Sequence, residues 1–433
     1  MTTQVVSSDI PRLEPGQAVG DFEVLKLIKA GGQGILYLMC PILPSDNARR
    51  LLRFQMSMFG ATQRLTQKYQ LGVLKFSRPA YEANLHDERG YLALPEAEHD
   101  HLGRTYSRRY GMSTRRRARA DLAFAELIDR NGNRDSYPYI TLAYESGGSV
   151  KDLMERRRYK PLTAAQAVKI GIQIAEAVSH LHTRLRLVHH DISPANMMFH
   201  ERLSALRGKE PWMVLVDLAA AESIDKPRQR SIYGVKIYMP PERLKDTPDP
   251  ISEHIDIYAL GMVLYELMTG RLDDQPTRDL RDTSRRIPPL VERLPSVSPE
   301  LNAVITGATE RDLGLRKRAV PNMAAMAHAL RNTPEAQMDG SIRAPLTPRF
   351  IMKMTGLALA VILPLVLAAV LLASALGAPA APVATPTPAE PTAETVETTA
   401  PTEAPPVVET PKPTTVPTST RVPRRTPTPT PTP

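Results

Sequence analysis

Three polar residues have types and spacings that suit the handling of a phosphate group. Asp191 and Asn196 lie five residues apart in a loop-like segment, and Asp217 follows an apolar, strand-like run at 212–216. A carboxylate can orient a hydroxyl and accept its proton, while amide and carboxylate oxygens are suitable ligands for Mg²⁺. Phosphoryl transfer needs little further covalent chemistry from a protein. The sequence therefore predicts a phosphoryl-transfer site at these residues.

A glycine-rich turn near the N-terminus is suited to approach phosphates. Residues 22–38 have the pattern strand, turn, strand, with Gly31, Gly32 and Gly34 in the turn. Glycine has no Cβ, so its backbone amide can come close to a phosphate oxygen. A plain hairpin explains this pattern equally well. The phosphate hypothesis gains support from Lys75, which lies inside the next short apolar strand, 73–76.

Lys75 needs a carboxylate partner if it is to be held against a phosphate. The predicted helix that follows offers Glu88, and Glu82 and Glu96 are alternatives. The residues between the glycine turn and this strand, 40–70, are interpreted as an insertion.

The elements that must position these residues follow from periodicity. Residues 124–143 predict a hairpin with its turn at 131–133, and residues 162–181 predict a helix with one repeating apolar face. A second apolar helix begins near Asp256, and Gly270 can end it. The strand-like segments thus precede the two helical segments.

These features follow the order typical of the eukaryotic-type protein kinases, and the chain resembles the bacterial serine/threonine members of that family. The Asp191 segment stands in the place of the catalytic loop, residues 217–219 in the place of Asp-Phe-Gly, and residues 240–242 in the place of Ala-Pro-Glu. The resemblance implies a bilobal α+β fold, with a small β-rich N-lobe at 20–143 and a larger helical C-lobe at 144–333.

The resemblance also implies a role for each matching residue. Asp191 orients the substrate hydroxyl, Asn196 and Asp217 hold Mg²⁺, and Lys75, braced by Glu88, positions the phosphates of ATP. The implied catalytic residues are Asp191, Lys75, Glu88 and Asn196. The implied ATP-binding residues are Gly31, Gly32, Gly34, Lys75, Ala143 and Tyr144. The implied structural residues are His189, Glu242 and Asp256, and the partner of Glu242 is Arg316 or Arg318. The implied substrates are ATP and protein hydroxyls.

Five positions depart from the family pattern. Lys29 replaces the first glycine of the phosphate turn, and Ser193 replaces the catalytic-loop lysine. Leu218 replaces a phenylalanine, Ala219 replaces a glycine, and Val235 replaces a threonine of the activation segment. An enzyme is favoured by the retention of the polar residues that the reaction needs, which are Lys75, Asp191, Asn196 and Asp217. The departures favour the alternative, a pseudokinase that binds partners as a scaffold, with or without nucleotide.

The segment 354–376 is free of charge and almost wholly apolar, which predicts one transmembrane helix. Basic residues precede it in the linker 334–353, and none follows until Lys412. The positive-inside bias places the kinase-like part in the cytoplasm, at the plasma membrane. The Pro- and Thr-rich tail, 377–433, lacks the residues needed for a core and is predicted to be disordered and extracellular.

Other features predict partners less directly. The basic segment 104–119 is interpreted as a solvated insertion or as a contact with anionic lipid. No nucleic-acid partner is expected, because no aromatic residue lies among the clustered arginines at 115–117. Ala369, Ala373 and Gly377 have the small-xxx-small spacing of a homodimer contact. Cys40 is the only cysteine, which excludes an intrachain disulfide.

Overall fold

The computed structural model describes residues 10–112, 122–128, 134–206, 208–225, 235–244, 250–270, 272, 287–342, 364, 368 and 371. The chain divides into two units, Met1–Lys353 and Met354–Pro433, and the elements described here belong to the first.

The strands are β1 (Ala18–Val19), β2 (Phe22–Ala30), β3 (Gly34–Pro41), β4 (Gly72–Ser77), β5 (Leu122–Ile128), β6 (Arg134–Ala143), β7 (Leu187–Val188), β8 (Met197–Phe199), β9 (Met213–Leu215) and β10 (Glu222–Ser223). The α-helices are α1 (Asp46–Phe59), α2 (Gln63–Tyr69), α3 (Glu82–Ala93), α4 (Tyr106–Arg109), α5 (Val150–Arg156), α6 (Ala164–His180), α7 (His254–Thr269), α8 (Leu290–Arg293), α9 (Pro299–Ala308), α10 (Leu313–Ala319) and α11 (Met323–Arg331). Short 3-10 turns occupy Pro79–Tyr81, Pro95–Ala97, Leu203–Ala205, Lys236–Tyr238, Pro241–Arg243 and Pro334–Gln337.

The N-terminal lobe is built on one antiparallel sheet with the strand order β1-β2-β3-β4-β6-β5. Its core packs aromatic rings edge to face or tilted, with Phe76 against both Tyr37 and Tyr139. The predicted hairpin at 124–143 is confirmed as the β5–β6 pair, although its turn lies outside the described residues. Ile10 and Leu13 also pack into this core, so the folded region begins before residue 20.

The insertion at 40–70 contains two helices, α1 and α2. Ser45 caps α1 and Thr62 caps α2, each by accepting a hydrogen bond from a backbone N–H in the first turn. Leu52 and Leu65 pack against Leu38 of the sheet. The insertion therefore forms a small second core on the N-lobe.

The C-terminal lobe is helical and centred on α7. Most residues from His254 to Met268 are buried, as expected for a helix surrounded by others. The predicted helix at 162–181 is confirmed as α6, which begins with a capping box at Thr163 and Gln166. Gly270 ends α7 with a positive φ of 94°, as the sequence predicts.

The packed region continues past residue 333 into the predicted linker 334–353. Glu335 is buried and accepts hydrogen bonds from the backbone N–H and hydroxyl of Ser298, at 2.6 and 2.8 Å. Ile342 is also buried in the C-lobe core.

The predicted span, 354–376, and the tail, 377–433, lie outside the described residues apart from 364, 368 and 371. Among the residues that are described, no helix combines the length and the apolar character needed to cross a bilayer.

Candidate active site

Lys75 lies between two carboxylates at the junction of the lobes. Its Nζ is 2.6 Å from Glu88 Oε2 of α3 and 2.6 Å from Asp217 Oδ1, just after β9. Glu88 is fully buried, and its Oε1 accepts a hydrogen bond from the Leu218 backbone N–H at 3.2 Å. Of the three carboxylates that the sequence offers for Lys75, Glu88 is therefore the one in contact. This contact ties α3 to both the sheet and the segment that carries Asp217.

The charges of this cluster are mutually dependent. Burial acts to lower the pKa of Lys75, but the carboxylates of Asp217 and Glu88 outweigh it and raise that pKa. Burial acts to raise the pKa of Asp217, but the charge and hydrogen bond of Lys75 lower it. For Glu88, burial outweighs Lys75 and raises the pKa. An ammonium and an ionised Asp217 therefore face each other across the lobes.

Asp191 and Asn196 are joined within the loop between β7 and β8. The Asn196 Nδ2 donates to the backbone oxygen and to Oδ2 of Asp191, both at 2.8 Å. Asp191 Oδ1 is buried and accepts no hydrogen bond from the described residues. Burial raises the pKa of Asp191, against the opposing charge of His189. This oxygen is therefore an acceptor oriented by Asn196 and left available for a hydroxyl hydrogen.

A buried carboxylate on α7 holds that loop in place. Asp256 is fully buried; it accepts from the His189 N–H at 2.7 Å and the His190 N–H at 3.0 Å. The imidazole of His182 adds a third contact, with its Nε2 2.8 Å from Asp256 Oδ2. The hydrogen bond from His182 lowers the pKa of Asp256, although burial opposes this. The ionised carboxylate thereby fixes the two residues that precede Asp191.

The β8–β9 pair brings Asn196 next to Asp217. Met197 pairs with Leu215, and the Val216 N–H donates to the Asn196 carbonyl oxygen at 2.9 Å. Asp217 has a φ of 72°, a left-handed conformation that is uncommon outside glycine and recurs at functional sites.

These side chains fit a magnesium ion held jointly with nucleotide phosphates. Asn196 uses its Nδ2 for Asp191, which leaves its amide oxygen for a cation, and Asp217 offers a carboxylate. No cluster of three or more His, Cys, Asp or Glu suited to a metal occurs among the described residues. A two-ligand set suits Mg²⁺, which usually keeps several waters and substrate phosphates in its coordination sphere.

The glycine turn lies above the end of β4. A Cβ added to Gly34 would overlap the carbonyl oxygen of Phe76 on the adjacent strand, so only glycine fits there. A Cβ at Gly31 or Gly32 would meet nothing within 4 Å, and the Gly31 N–H donates to the Gly34 oxygen at 2.9 Å. The turn therefore has open space beside its backbone at Gly31 and Gly32.

Ala143 and Tyr144 occupy the connection between the lobes. Ala143 pairs with Gly72 at the end of β6, and its N–H donates to the Arg104 oxygen at 2.9 Å. The Tyr144 side chain packs against the core of the insertion. The connection is thus supported on one side by the sheet and on the other by the insertion.

Glu242 makes a buried ion pair with Arg316. The Arg316 guanidinium is fully buried, bonds Glu242 Oε1 through Nη2 and donates through Nη1 to the Glu310 oxygen at 2.6 Å. Arg318, the alternative partner, is exposed. The pair joins the 240–242 segment to α10.

The residues that depart from the family pattern have different environments. Ser193 and Ala219 are buried, at 2% and 6% exposure, whereas Lys29 and Val235 are exposed. The loop that carries Asp191 therefore has no cationic side chain at Ser193.

Sequence reasoning missed two groups of contacts. His182 follows α6 and contacts Asp256, but its type and spacing gave no signal. Gln63 of the insertion lies 2.9 Å from His200 Nε2, and the Phe59 oxygen accepts from Arg202 at 2.7 Å. The insertion therefore also bridges to the C-lobe.

Comparisons with known proteins agree with this geometry. Residues 124–324 match the family model described as the protein kinase domain. The chain is 27% identical to serine/threonine-protein kinase PknB of Mycobacterium leprae (strain TN) over 43% of its length. It is 28% identical to a probable serine/threonine-protein kinase of Clostridium perfringens (strain 13 / Type A) over 42% of its length. The matched regions span 29% and 26% of those two relatives.

Among solved structures, a point mutant of the PknI kinase domain of Mycobacterium tuberculosis aligns with a TM-score of 0.46 and 19% identity, over 74% of this chain and 98% of that one. The family match and the relatives together characterise this region: residues 124–324 carry a protein kinase domain, which is similar to those of bacterial serine/threonine-protein kinases.

Proposed function

We propose that the chain is a membrane-anchored protein kinase that transfers the γ-phosphate of ATP to Ser or Thr hydroxyls of proteins. The observation that carries this proposal is the contact of Lys75 with both Glu88 and Asp217 at 2.6 Å. Because the two carboxylates hold its ammonium group in one position, Lys75 can position phosphates.

Each residue of the proposed site has a separate role in phosphate transfer. Asp191 orients the substrate hydroxyl and accepts its proton through the buried Oδ1, while Asn196 fixes the carboxylate from the other side. Asn196 and Asp217 would hold Mg²⁺, which when bound neutralises charge on the phosphates. The backbone of the glycine turn, around Gly31, Gly32 and Gly34, covers the phosphates, and Ala143 and Tyr144 border the adenine.

The test compares binding with transfer in the same protein. The wild-type chain should bind Mg²⁺-ATP in calorimetry and phosphorylate itself or a generic basic protein. Asp191→Ala should bind nucleotide with similar affinity but transfer phosphate at a severely reduced rate. A folded wild-type chain that binds no nucleotide would refute the enzyme.

The second candidate is a pseudokinase scaffold, and the burial of Ser193 beside Asp191 favours it. A loop without a cation neutralises the transferred phosphoryl group less well. Nucleotide binding without transfer by the wild-type chain would favour this candidate.

Membrane anchoring rests on the charge-free apolar run at 354–376 and on the basic residues that precede it. We propose that the kinase domain lies in the cytoplasm and the tail, 377–433, outside the plasma membrane. Protease added to intact spheroplasts should trim only the tail. Cleavage within the kinase domain of sealed cells would reverse this topology.

A homodimer contact through Ala369, Ala373 and Gly377 is a further part of the proposal. Replacing all three by leucine should weaken self-association in detergent, with three leucines at other positions of the span as the control. Unchanged self-association would remove this contact.

A further inference from the structure

Lys29 lies in line with Lys75 across the sheet of the N-lobe. In the β2–β3 pair Lys29 is opposite Leu36, and in the β3–β4 pair Leu36 is opposite Lys75. Residues directly opposite each other in an antiparallel sheet place their side chains on the same face. The Lys75 side chain reaches Glu88 and Asp217 from that face. The face that carries Lys29 is therefore the face that borders the active site.

A local irregularity accounts for this placement. The register of β2 shifts between Leu27 and Lys29, so Ile28 has no partner on β3. Such a bulge adds one residue to a strand and re-aims the side chains beside it. Lys29 is exposed, one residue before the end of β2 at the glycine turn. Its flexible side chain can therefore extend toward the space covered by the turn.

The loop on the opposite side of the active site has no positively charged side chain among the three residues that follow Asp191. The residues that follow Asp191 are Ile192, Ser193 and Pro194, and Ser193 is buried at 2% exposure. The charge of Lys29 adds a small effect that lowers the pKa of Asp191, after burial and the contributions of His189, Asp217 and Asn196. This effect agrees with the strand register, which places Lys29 on the face of the N-lobe sheet from which Lys75 reaches Asp217.

We propose that Lys29 is a catalytic residue that contacts the γ-phosphate of bound ATP and supplies the positive charge that the Ser193 loop lacks. This inference rests on the proposed function. In the transfer step the substrate oxygen bonds to the γ-phosphorus and the bond from that phosphorus to the β–γ bridging oxygen breaks. The hydroxyl proton passes to Asp191, ADP leaves, and Lys29 stays protonated throughout. Positive charge aimed at the transferring group stabilises the transition state.

The experiment measures whether Lys29 recognises the terminal phosphate. Dissociation constants for Mg²⁺-ATP and Mg²⁺-ADP are measured on the full-length wild-type chain, on Lys29→Met and on Lys29→Arg. Lys29→Met should weaken ATP binding about tenfold, the effect of one charge-assisted hydrogen bond, and change ADP binding less than about twofold. Lys29→Arg keeps the charge and should stay close to wild type.

Lys26→Met is the matched control, because Lys26 is an exposed lysine of the same strand paired with Leu38, farther from the turn. It should leave the ratio of ATP to ADP affinity unchanged. Thermal melts of each variant check that the fold is intact. Where phosphate transfer is measured, Lys29→Met should lower kcat about 10²-fold.

Two outcomes would overturn the inference: equal weakening of ATP and ADP by Lys29→Met, or no change in either. A wild-type chain that binds ATP and transfers no phosphate refutes the proposed enzyme, while the affinity ratio still decides the role of Lys29. A folded wild-type chain that binds neither nucleotide refutes both.

Discussion

Replacing Asp256 by asparagine tests how the catalytic loop is held. The buried carboxylate accepts hydrogen bonds from the backbones of His189 and His190, and its Oδ2 lies 2.8 Å from the imidazole Nε2 of His182. An amide has a single acceptor oxygen, so its NH₂ group must face one of these donors. Asp191 follows directly in the chain, so the loop must shift at the residue that we propose orients the substrate hydroxyl.

The magnitude follows from counting these contacts. One buried donor left without an acceptor costs about 1–3 kcal/mol, and hydrogen bonds to a charged group are worth about 1.5–3 kcal/mol against about 1 for neutral ones. Asp256→Asn should therefore lower the free energy of unfolding by about 3–5 kcal/mol. A displacement of Asp191 by about 1 Å would reduce kcat about 10²-fold.

Urea denaturation followed by circular dichroism measures the first effect and initial rates of phosphate transfer measure the second. Asp312→Asn is the control, because Asp312 caps α10 by accepting from the Leu315 N–H at 2.8 Å and asparagine caps a helix equally well. The control should stay within about 0.5 kcal/mol of wild type. An Asp256→Asn protein with wild-type stability and rate would refute the reasoning.

Three other substitutions probe separate parts of the structure. Gly34→Ala should lower stability by about 1–3 kcal/mol and weaken ATP binding, because its Cβ would overlap the Phe76 carbonyl oxygen and push β3 from β4; unchanged ATP affinity and melting temperature would contradict this. Glu242→Ala should cost about 3–5 kcal/mol in urea denaturation because it leaves the buried Arg316 guanidinium without its counter-charge, and a cost below about 1 kcal/mol would show that the pair is dispensable. Burial lowers the pKa of His190 to about 4, whereas an unfolded histidine titrates near 6.5. Because only the unfolded state binds this proton between those pH values, the His190 contribution should be small above about pH 6.5 and should lower stability by about 2 kcal/mol at pH 5. Burial lowers the pKa of His99 and of His254 to about 4 as well, so the total fall should be larger, and His190→Gln should remove only the His190 part of the slope.

Local sequence patterns predicted the helices and strands whose apolar residues recur with the regular spacing of that element. The apolar face of α6 and the glycine after α7 are sequence signals with direct structural causes, and both elements occur where expected. For the carboxylate partner of Lys75, the sequence alone offers three candidates, Glu82, Glu88 and Glu96. The structure selects Glu88 because α3 turns that residue, fully buried, toward the sheet.

The insertion at 40–70 exposes the limit of local patterns. Ser45 and Thr62 are recognisable helix caps, so its helices were detectable in principle. Its bridge to the C-lobe was not, because the Gln63–His200 contact joins residues 137 positions apart. Such contacts depend on how the lobes pack, which periodicity does not specify.

One measurement tests the central claim most directly: transfer of labelled γ-phosphate from ATP to a basic protein by the full-length chain, beside Asp217→Ala. The wild-type chain should label itself or the acceptor in the presence of Mg²⁺. Asp217→Ala should show no labelling, since it removes the carboxylate that contacts Lys75 at 2.6 Å and would hold the metal. Equal labelling by the two proteins, or none by a folded and nucleotide-bound wild type, would contradict the account.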